Sequence, residues 1–292
     1  MATGKSYLSR SEPRARGPTM LRTAIILSLC LPGAALALSE EESDARVAEL
    51  LRVEEIVRIL RDEGLAHSAE IAGNMFPDRS AHSWTLTVDR IYDPASMQAQ
   101  MEEALAESLT ADEAAPVIDF LGSDLGQKIV GLELSAREAY AEEAVEEAAK
   151  DAWALIDDED TTRAQMIERF VEVNDLLEEN VAAGLTANYE FLAGLNDGGA
   201  FPEPMSEDMM LAEAYSSEGE IRTETEEWLG SFLNLAYDPL TDAELSDYIA
   251  FSATKAGRDF NRALFAGFDA MYDGISRALG RAAAVEMVSQ DI

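Results

Sequence analysis

Apolar side chains along this chain recur every three or four residues, the interval that places them on one face of an α-helix. Three such stripes occur, at Leu50, Val53, Ile56 and Leu60, at Ile167, Phe170, Val173 and Leu177, and at Phe260, Leu264, Phe268, Met271, Ile275 and Leu279. The short run Trp84–Val88 alternates like a β-strand, but it is too short to build a sheet. The pattern predicts an all-α protein that ends in a long helix.

One phrase occurs twice, as LTADEAAPVIDFLGSDLGQKIV at residues 109–130 and as LTDAELSDYIAFSATKAGRDFN at residues 240–261. Leu, Thr, Glu, Ile, Phe and Gly fall at the same positions of both copies. Repetition of this kind predicts two related helical units in tandem.

Each copy of the phrase is typical of a tight helical hairpin. Thr followed three residues later by Glu is a capping box, in which each side chain bonds the backbone N–H of the other residue. A short helix then runs to Phe, and Ser or Thr caps the next helix. Gly inside a helix costs up to about 1 kcal/mol relative to Ala, so its use at one position in both copies indicates that another helix passes close by. The structural residues predicted in this way are Thr110, Glu113, Phe120, Ser123, Gly126, Thr241, Glu244, Phe251, Thr254 and Gly257.

The repeat extends beyond the hairpin and divides the chain. The stripe that begins at Leu50 matches the one that begins at Ile167 at an offset of 117 residues, whereas the two hairpins match at an offset of 131. The difference of 14 predicts an insertion within residues 195–207, where Gly and Pro interrupt the helical pattern. We expect a first helical half at 38–160 and a second at 161–292, in one helical bundle or two packed helical hairpin domains.

The N-terminal residues 1–37 are typical of a secretory signal peptide. A basic residue precedes the apolar run 24–31, and Ala35-Leu36-Ala37 precedes a polar segment, as at an A-x-A cleavage site. Met20 is a second candidate start, and Cys30 is the one cysteine, so the mature chain would have no disulfide. No later apolar run is long enough to span a membrane. We expect a periplasmic protein, or a secreted one if the source is not Gram-negative.

Acidic residues outnumber basic ones by 57 to 22, which gives a net charge of −35. Removal of residues 1–37 would take away five basic residues and one acidic residue, and would bring the charge to −39. Such a charge repels nucleic-acid phosphates and argues against a nucleic-acid partner. Because the acids are spread over every segment, a solvated acidic surface is favoured over a specific cation site.

The repeated hairpin resembles the bacterial family known as domain of unknown function 2059, whose motif reads roughly T-x-E-E-L…F-Y-x-S-P-x-G-x-K. The matching residues are Leu240–Leu245, Phe251 and Gly257 in the second copy and Phe120, Ser123, Gly126, Gln127 and Lys128 in the first. Asp124 and Lys255 replace the Pro of the motif, and a lysine is unfavourable at a helix N-terminus, so the second hairpin should be less well capped. The resemblance implies an exported helical protein and brings no activity.

The residues that could carry chemistry are few. Glu63, His67 and Glu70 share a helix face and could seat a divalent metal, but three ligands without a second His or Cys are a weak signal, and an exposed helix face is favoured. His82 lies beside Trp84 in an expected loop. The sequence has no phosphate-binding loop and no G-x-S-x-G elbow. We therefore predict no catalytic residue and no cofactor.

The favoured interpretation is a non-catalytic exported protein, a periplasmic interaction or ligand-binding module with an unknown protein or small-molecule partner. One alternative is an envelope enzyme that uses carboxylates, with or without a divalent metal. The other is a carrier of an apolar small molecule in a groove between helices. Converging carboxylates in a cleft near His67 would favour the enzyme, and an apolar tunnel would favour the carrier.

Overall fold

The computed structural model describes residues 38–76, 81–159 and 161–288. The predicted signal peptide, with Met20, Cys30 and the cleavage site, lies outside these residues. The described residues form helices joined by turns, which confirms the all-α prediction. None of these helices combines the length and the apolar character needed to cross a bilayer.

The first seven helices are α1 (Glu40–Leu51), α2 (Val53–Met75), α3 (Ala81–Ile91), α4 (Pro94–Ser108), α5 (Ala111–Leu121), α6 (Asp124–Tyr140) and α7 (Glu143–Asp158). The remaining helices are α8 (Thr162–Val173), α9 (Leu176–Asp197), α10 (Glu207–Ser216), α11 (Glu218–Tyr237), α12 (Asp242–Ser252) and α13 (Lys255–Val288). The long C-terminal helix predicted from the third stripe is α13, and that prediction is confirmed.

Short polar side chains fix where many of these helices begin. Ser39, Asp93, Thr161 and Ser206 precede α1, α4, α8 and α10, and each accepts a hydrogen bond from a backbone N–H in the first turn. These bonds satisfy donors that have no partner within the helix. The helix starts are therefore encoded locally in the sequence.

The helices repeat in order, because α1–α6 and α8–α13 follow the same succession with α7 between them. Helices α1 and α8 both have 12 residues, and α5 and α12 both have 11. The N-cap residues of α1 and α8, Ser39 and Thr161, are 122 positions apart. The predicted offset of 117 is therefore wrong for these helices. The division of the chain at residue 160 stays a prediction.

The first two apolar stripes each cross a break between two helices. Arg52 separates α1 from α2 and Asp175 separates α8 from α9, and both have a left-handed backbone, with φ of 57° and 53°. Leu50 and Val53 consequently lie on different helices, although both are buried. Two helices that meet at a buried corner keep the same apolar spacing as one continuous helix, which explains the mistaken register.

The predicted insertion of 14 residues within 195–207 is also wrong as stated. Helix α9 ends at Asp197 and α10 begins at Glu207, so the loop between them holds only part of the extra length. Further residues lie in α11, which has 20 residues where its counterpart α4 has 15.

The run Trp84–Val88 is helical and His82 is not in a loop, because all of these residues belong to α3. Trp84 and Val88 are both 3 % exposed, whereas Leu86 between them is 53 % exposed. The indole N–H of Trp84 donates to the backbone carbonyl of Ser68 at 2.8 Å and so anchors α3 on α2. The sequence alternation thus conceals two buried residues that are one helical turn apart.

Helix α13 is central to the packing and contacts α9 and α4 along much of its length. Helices α9 and α13 approach closely at Gly194 and Gly280. A methyl group on Gly194 would overlap the backbone oxygen of Arg277, and one on Gly280 would overlap that of Phe191. This contact is one end of the seam along which the candidate site lies.

In both hairpins the glycine faces the end of the preceding helix. A methyl group on Gly126 would overlap the carbonyl oxygen of Phe120, and one on Gly257 would overlap that of Phe251. The close approach that the sequence suggested therefore comes from within the hairpin itself.

The two hairpins are capped alike. The hydroxyls of Ser123 and Thr254 accept the N–H groups of Gly126 and Gly257, both at 3.0 Å. The expectation of a weaker second cap is therefore wrong. The charge of Lys255, which opposes the helix dipole, is offset because its ammonium contacts carboxylates, among them Asp259 in the next turn.

Candidate functional site

A cavity of about 470 Å³ lies between α2, α6, α9, α11 and α13. Small-molecule sites typically occupy about 300–1,000 Å³. Most of the lining is aliphatic or aromatic, and it includes Ile56, Leu60, Val130, Leu134, Phe170, Ala183, Ala187, Trp228, Phe232, Tyr237, Tyr248, Leu264, Phe265, Phe268 and Tyr272. Glu133, Arg137, Asn180, Asn261, Asp269 and Asp273 supply the polar part.

The seam between α9 and α13 shapes one wall of the cavity. At one end of the seam the helices touch at Gly194 and Gly280. Beyond the start of α9, the Asn261 side-chain amide donates to the backbone carbonyl of Asn174, in the turn that precedes α9, at 2.7 Å. Between these contacts α9 lines the cavity with small residues and α13 lines it with aromatic ones, including Phe265. Small side chains on one helix leave room that the other helix does not fill.

Glu133 of α6 is a half-buried carboxylate in the cavity wall. The hydroxyl of Tyr237 donates to its Oε1 at 2.7 Å, and the hydroxyl of Tyr248 donates to the same oxygen at 3.2 Å. Among the described residues no donor reaches Oε2 of Glu133. Burial raises the pKa of this carboxyl, and the two tyrosine hydrogen bonds oppose that rise. Burial, followed by the charge of Glu133, raises the pKa of both tyrosines well above the ordinary value.

Arg137 follows one turn later on α6 and is already paired. Its Nε and Nη2 donate to the two carboxylate oxygens of Glu63 on α2, each at 2.8 Å. Burial lowers the pKa of Arg137, but the contacts with Glu63 outweigh it and the net pKa is raised. The guanidinium also lies 5.8 Å from the ring centre of Trp228. A bidentate pair of this kind fixes both side chains.

Tyr272 of α13 adds a hydroxyl to the cavity wall. Burial raises the pKa of this phenol to about 12, with Arg137 acting in the opposite direction. Within the described residues no group hydrogen-bonds the Tyr272 hydroxyl, so it can donate or accept.

Two further carboxylates lie on the solvent side of the cavity. Asp269 is exposed and Asp273 is half-buried, and both line the cavity. Although Asp269 is exposed at the surface, desolvation by the neighbouring cavity wall raises its pKa, followed by repulsion from Asp273 and Glu179. Burial and then repulsion from Glu190 raise the pKa of Asp273. The cavity therefore meets solvent at an acidic rim formed by Asp269 and Asp273.

The residues of the weak metal candidate do not converge. Glu63 is engaged by Arg137, whereas the His67 and Glu70 side chains are 68 % and 75 % exposed. Nδ1 of His67 lies 3.8 Å from a Glu70 oxygen, but both oxygens of Glu63 accept hydrogen bonds from Arg137, so Glu63 does not join the other two residues. In the part of the chain that the structure describes, no three His, Cys, Asp or Glu side chains could hold a metal ion. His82 is exposed on α3.

Residues of the repeated motif pack against a residue that lines the cavity. Phe120 and Phe251, which hold the same position in the two copies, stack with ring centres 3.8 Å apart. Phe120 also stacks on Tyr248, one of the two tyrosines that bind Glu133. The predicted structural residues thus position a side chain of the site without lining it themselves.

One family of known proteins matches the segment of the chain that contains the first hairpin. Residues 95–154 match a family described as an uncharacterized protein conserved in bacteria, DUF2059. The match confirms the family resemblance inferred from the first hairpin, and the second copy at residues 241–257 lies outside it. No curated protein and no solved structure matches the chain significantly.

Proposed function

We propose that this protein binds a small molecule with a large apolar part in the cavity between α2, α6, α9, α11 and α13. The observation that carries the proposal is the cavity itself, whose walls are mainly aromatic and aliphatic and whose polar groups include Glu133 and Arg137, both held by hydrogen bonds. Sites with this composition bury the apolar body of a ligand and use the polar groups to orient it. Of the functions considered from the sequence, this is the carrier in an inter-helix groove.

The fixed polar groups favour binding over carboxylate catalysis. In glycoside hydrolases the two catalytic carboxylates flank the bond that is cleaved, and each must be free to reach the substrate. Glu63 is committed to Arg137, and Glu133 is held by two tyrosine hydroxyls. This arrangement suits recognition, in which preorganised groups reduce the entropy lost on binding.

The proposal can be tested with Nile red, a neutral apolar dye. Ala183 lines the cavity, whereas the adjacent Ala182 is exposed on the other side of α9. We expect saturable dye binding to the wild type and to Ala182→Phe, and a loss of about tenfold or more for Ala183→Phe, because its ring would occupy the cavity. Absence of saturable binding to the wild type, or full binding by a folded Ala183→Phe, would contradict the proposal.

We also propose that the protein acts in the periplasm after removal of residues 1–37. The support is the basic residue, the apolar run and the small residues at 35–37. In a Gram-negative host, we expect the periplasmic fraction to contain a chain that begins at Leu38, as measured by intact mass. Ala37→Lys should block cleavage, and a full-length wild-type chain in the cytoplasm would contradict export.

A further inference from the structure

The geometry points to an amphiphilic cation as the ligand, an amine with an aliphatic or aromatic body whose ammonium group pairs with Glu133. This inference rests on the proposed binding function and specifies the ligand's chemical class. It follows from the balance of charge in the cavity, from the rings beside Glu133, and from the acidic rim.

The charges that line the cavity do not cancel. The positive charge of Arg137 is matched by Glu63 through two hydrogen bonds. Glu133 receives only neutral tyrosine hydroxyls, both on Oε1, and in the described chain its Oε2 has no donor. A carboxylate away from bulk water is costly unless it is paired or protonated. An ammonium donor at Oε2 would supply the missing counter-charge.

Aromatic residues lie beside this carboxylate, since Tyr237 and Tyr248 both hydrogen-bond it. Tyr237 and Tyr248 meet edge to face with ring centres 5.9 Å apart, and Phe170 packs 4.8 Å from Tyr248. All three rings line the cavity. The faces of aromatic rings attract cations, and sites for quaternary ammonium ligands are commonly built from such rings. The same ring faces repel an anionic head group.

The acidic rim also favours a cationic ligand over an anionic one. Asp269 and Asp273 stand where the cavity meets solvent, and the whole chain carries a formal charge of −35. A cleft lined by one sign of charge concentrates ions of the opposite sign and repels those of the same sign. A fatty acid would have to pass the rim and place its carboxylate beside Glu133 or displace Glu63 from Arg137. An amine meets neither obstacle.

The experiment uses three probes that share one alkyl chain, decylamine, decanol and decanoate, in competition with Nile red. For the wild type we expect affinity to decrease from amine to alcohol to carboxylate. Glu133→Gln keeps an acceptor for the two tyrosines and removes the charge. The substitution should lower the affinity for decylamine by about tenfold or more, because a charge-assisted hydrogen bond is lost, and should leave the affinity for decanol unchanged. Glu138→Gln, an exposed change on the same helix, is the control.

The outcomes separate the two proposals. If none of the probes nor Nile red binds the wild type, the binding function itself is wrong. If decanol or decanoate competes as well as decylamine, binding stands and the cationic ligand is overturned. The wild-type ranking decides the question even if Glu133→Gln does not fold. Asp269→Asn with Asp273→Asn should also slow the association of decylamine at low salt, and an unchanged rate would count against the role of the rim.

Discussion

The ammonium of Lys255 lies 3.0 Å from a carboxylate oxygen of Glu113, although the two residues are 142 positions apart. The converse contact joins Lys128 to Glu244 at 2.7 Å. Each lysine belongs to one copy of the repeated hairpin, and each glutamate belongs to the capping box of the other copy. The two hairpins are therefore linked by reciprocal ion pairs around the stacked rings of Phe120 and Phe251.

These contacts predict a pH-dependent contribution to stability. Hydrogen bonding from Lys255 and Thr110 lowers the pKa of Glu113 from 4.5 to about 2, and Lys128 and Thr241 do the same for Glu244. Because the folded-state pKa is depressed, the stabilisation is complete above pH 4.5 and is lost as the pH falls towards 2. We expect Glu244→Gln to lower the melting temperature at pH 7.

The matched measurement is the difference in melting temperature between wild type and Glu244→Gln from pH 7 down to pH 2. The difference should shrink below about pH 4.5, because protonation removes the same charge from the wild type. Asp238→Asn, a change in the preceding exposed turn, should show no such trend. A difference that is constant with pH would mean that the ion pair does not stabilise the fold.

The hairpins could be predicted from the sequence because their signals are local. The reciprocal bonds between Thr241 and Glu244, at 2.8 and 3.2 Å, span three residues, and such a motif is visible in the sequence. The ion pairs between the hairpins could not be predicted, since they depend on how two distant segments pack. The sequence therefore made Lys255 look unfavourable at a helix start, because it did not reveal the carboxylates of Glu113 and Asp259 that pair with it.

The glycine of the second hairpin provides a stability test. In Gly257→Ala the new methyl group would overlap the carbonyl oxygen of Phe251, and backbone cannot move aside as a flexible side chain can. We expect a loss of about 1–3 kcal/mol, the range for overpacking, measured by urea unfolding. Gly73 on α2 has nothing within 4 Å of the added methyl group, so Gly73→Ala should be neutral or slightly stabilising. Equal behaviour of the two variants would contradict the close approach.

The charge of the whole chain predicts a response to salt. The chain has 57 acidic and 22 basic residues, so at low ionic strength the negative charges of the folded protein repel one another and destabilise it. The melting temperature should rise between low and moderate sodium chloride as the charges are screened. Calcium at matched ionic strength should add little, since in the described residues no carboxylate cluster could hold a metal. A saturable rise at low calcium concentration would reveal a specific site.

The cavity could not be located from the sequence, because helices that are far apart in the chain line it together. The only local sign was the pair Glu133 and Arg137, two charged residues one turn apart on a helix whose neighbouring positions Val130 and Leu134 are buried. A charged residue within an apolar stripe often marks a buried polar site, but its partners cannot be inferred. Glu63, assigned from the sequence to a weak metal cluster, proved to be the partner of Arg137.

That pairing separates Glu63 from the other two residues of the cluster and gives a decisive test. In Glu63→Gln the guanidinium of Arg137 loses its counter-charge beside an apolar cavity, with its side chain only 35 % exposed. Loss of a hydrogen-bonded partner of a charged group typically costs about 1.5–3 kcal/mol, and the partial exposure of Arg137 reduces the expected loss to about 1–2 kcal/mol. His67→Ala and Glu70→Ala should each change stability by less than about 0.5 kcal/mol, because both side chains are exposed.

Glu138→Gln is the matched control for this test, since it breaks an exposed ion pair with Arg58 by the same chemical change. Surface pairs contribute little, because water solvates the separated charges almost as well. Urea unfolding of the four variants should therefore isolate Glu63→Gln as the destabilised one. Equal losses for Glu63→Gln and Glu138→Gln would mean that Arg137 is as well solvated as Arg58. In that case Glu63 would not be the group that neutralises Arg137. It would then be wrong that only Glu133 lacks a counter-charge, which is the conclusion that favours a cationic ligand.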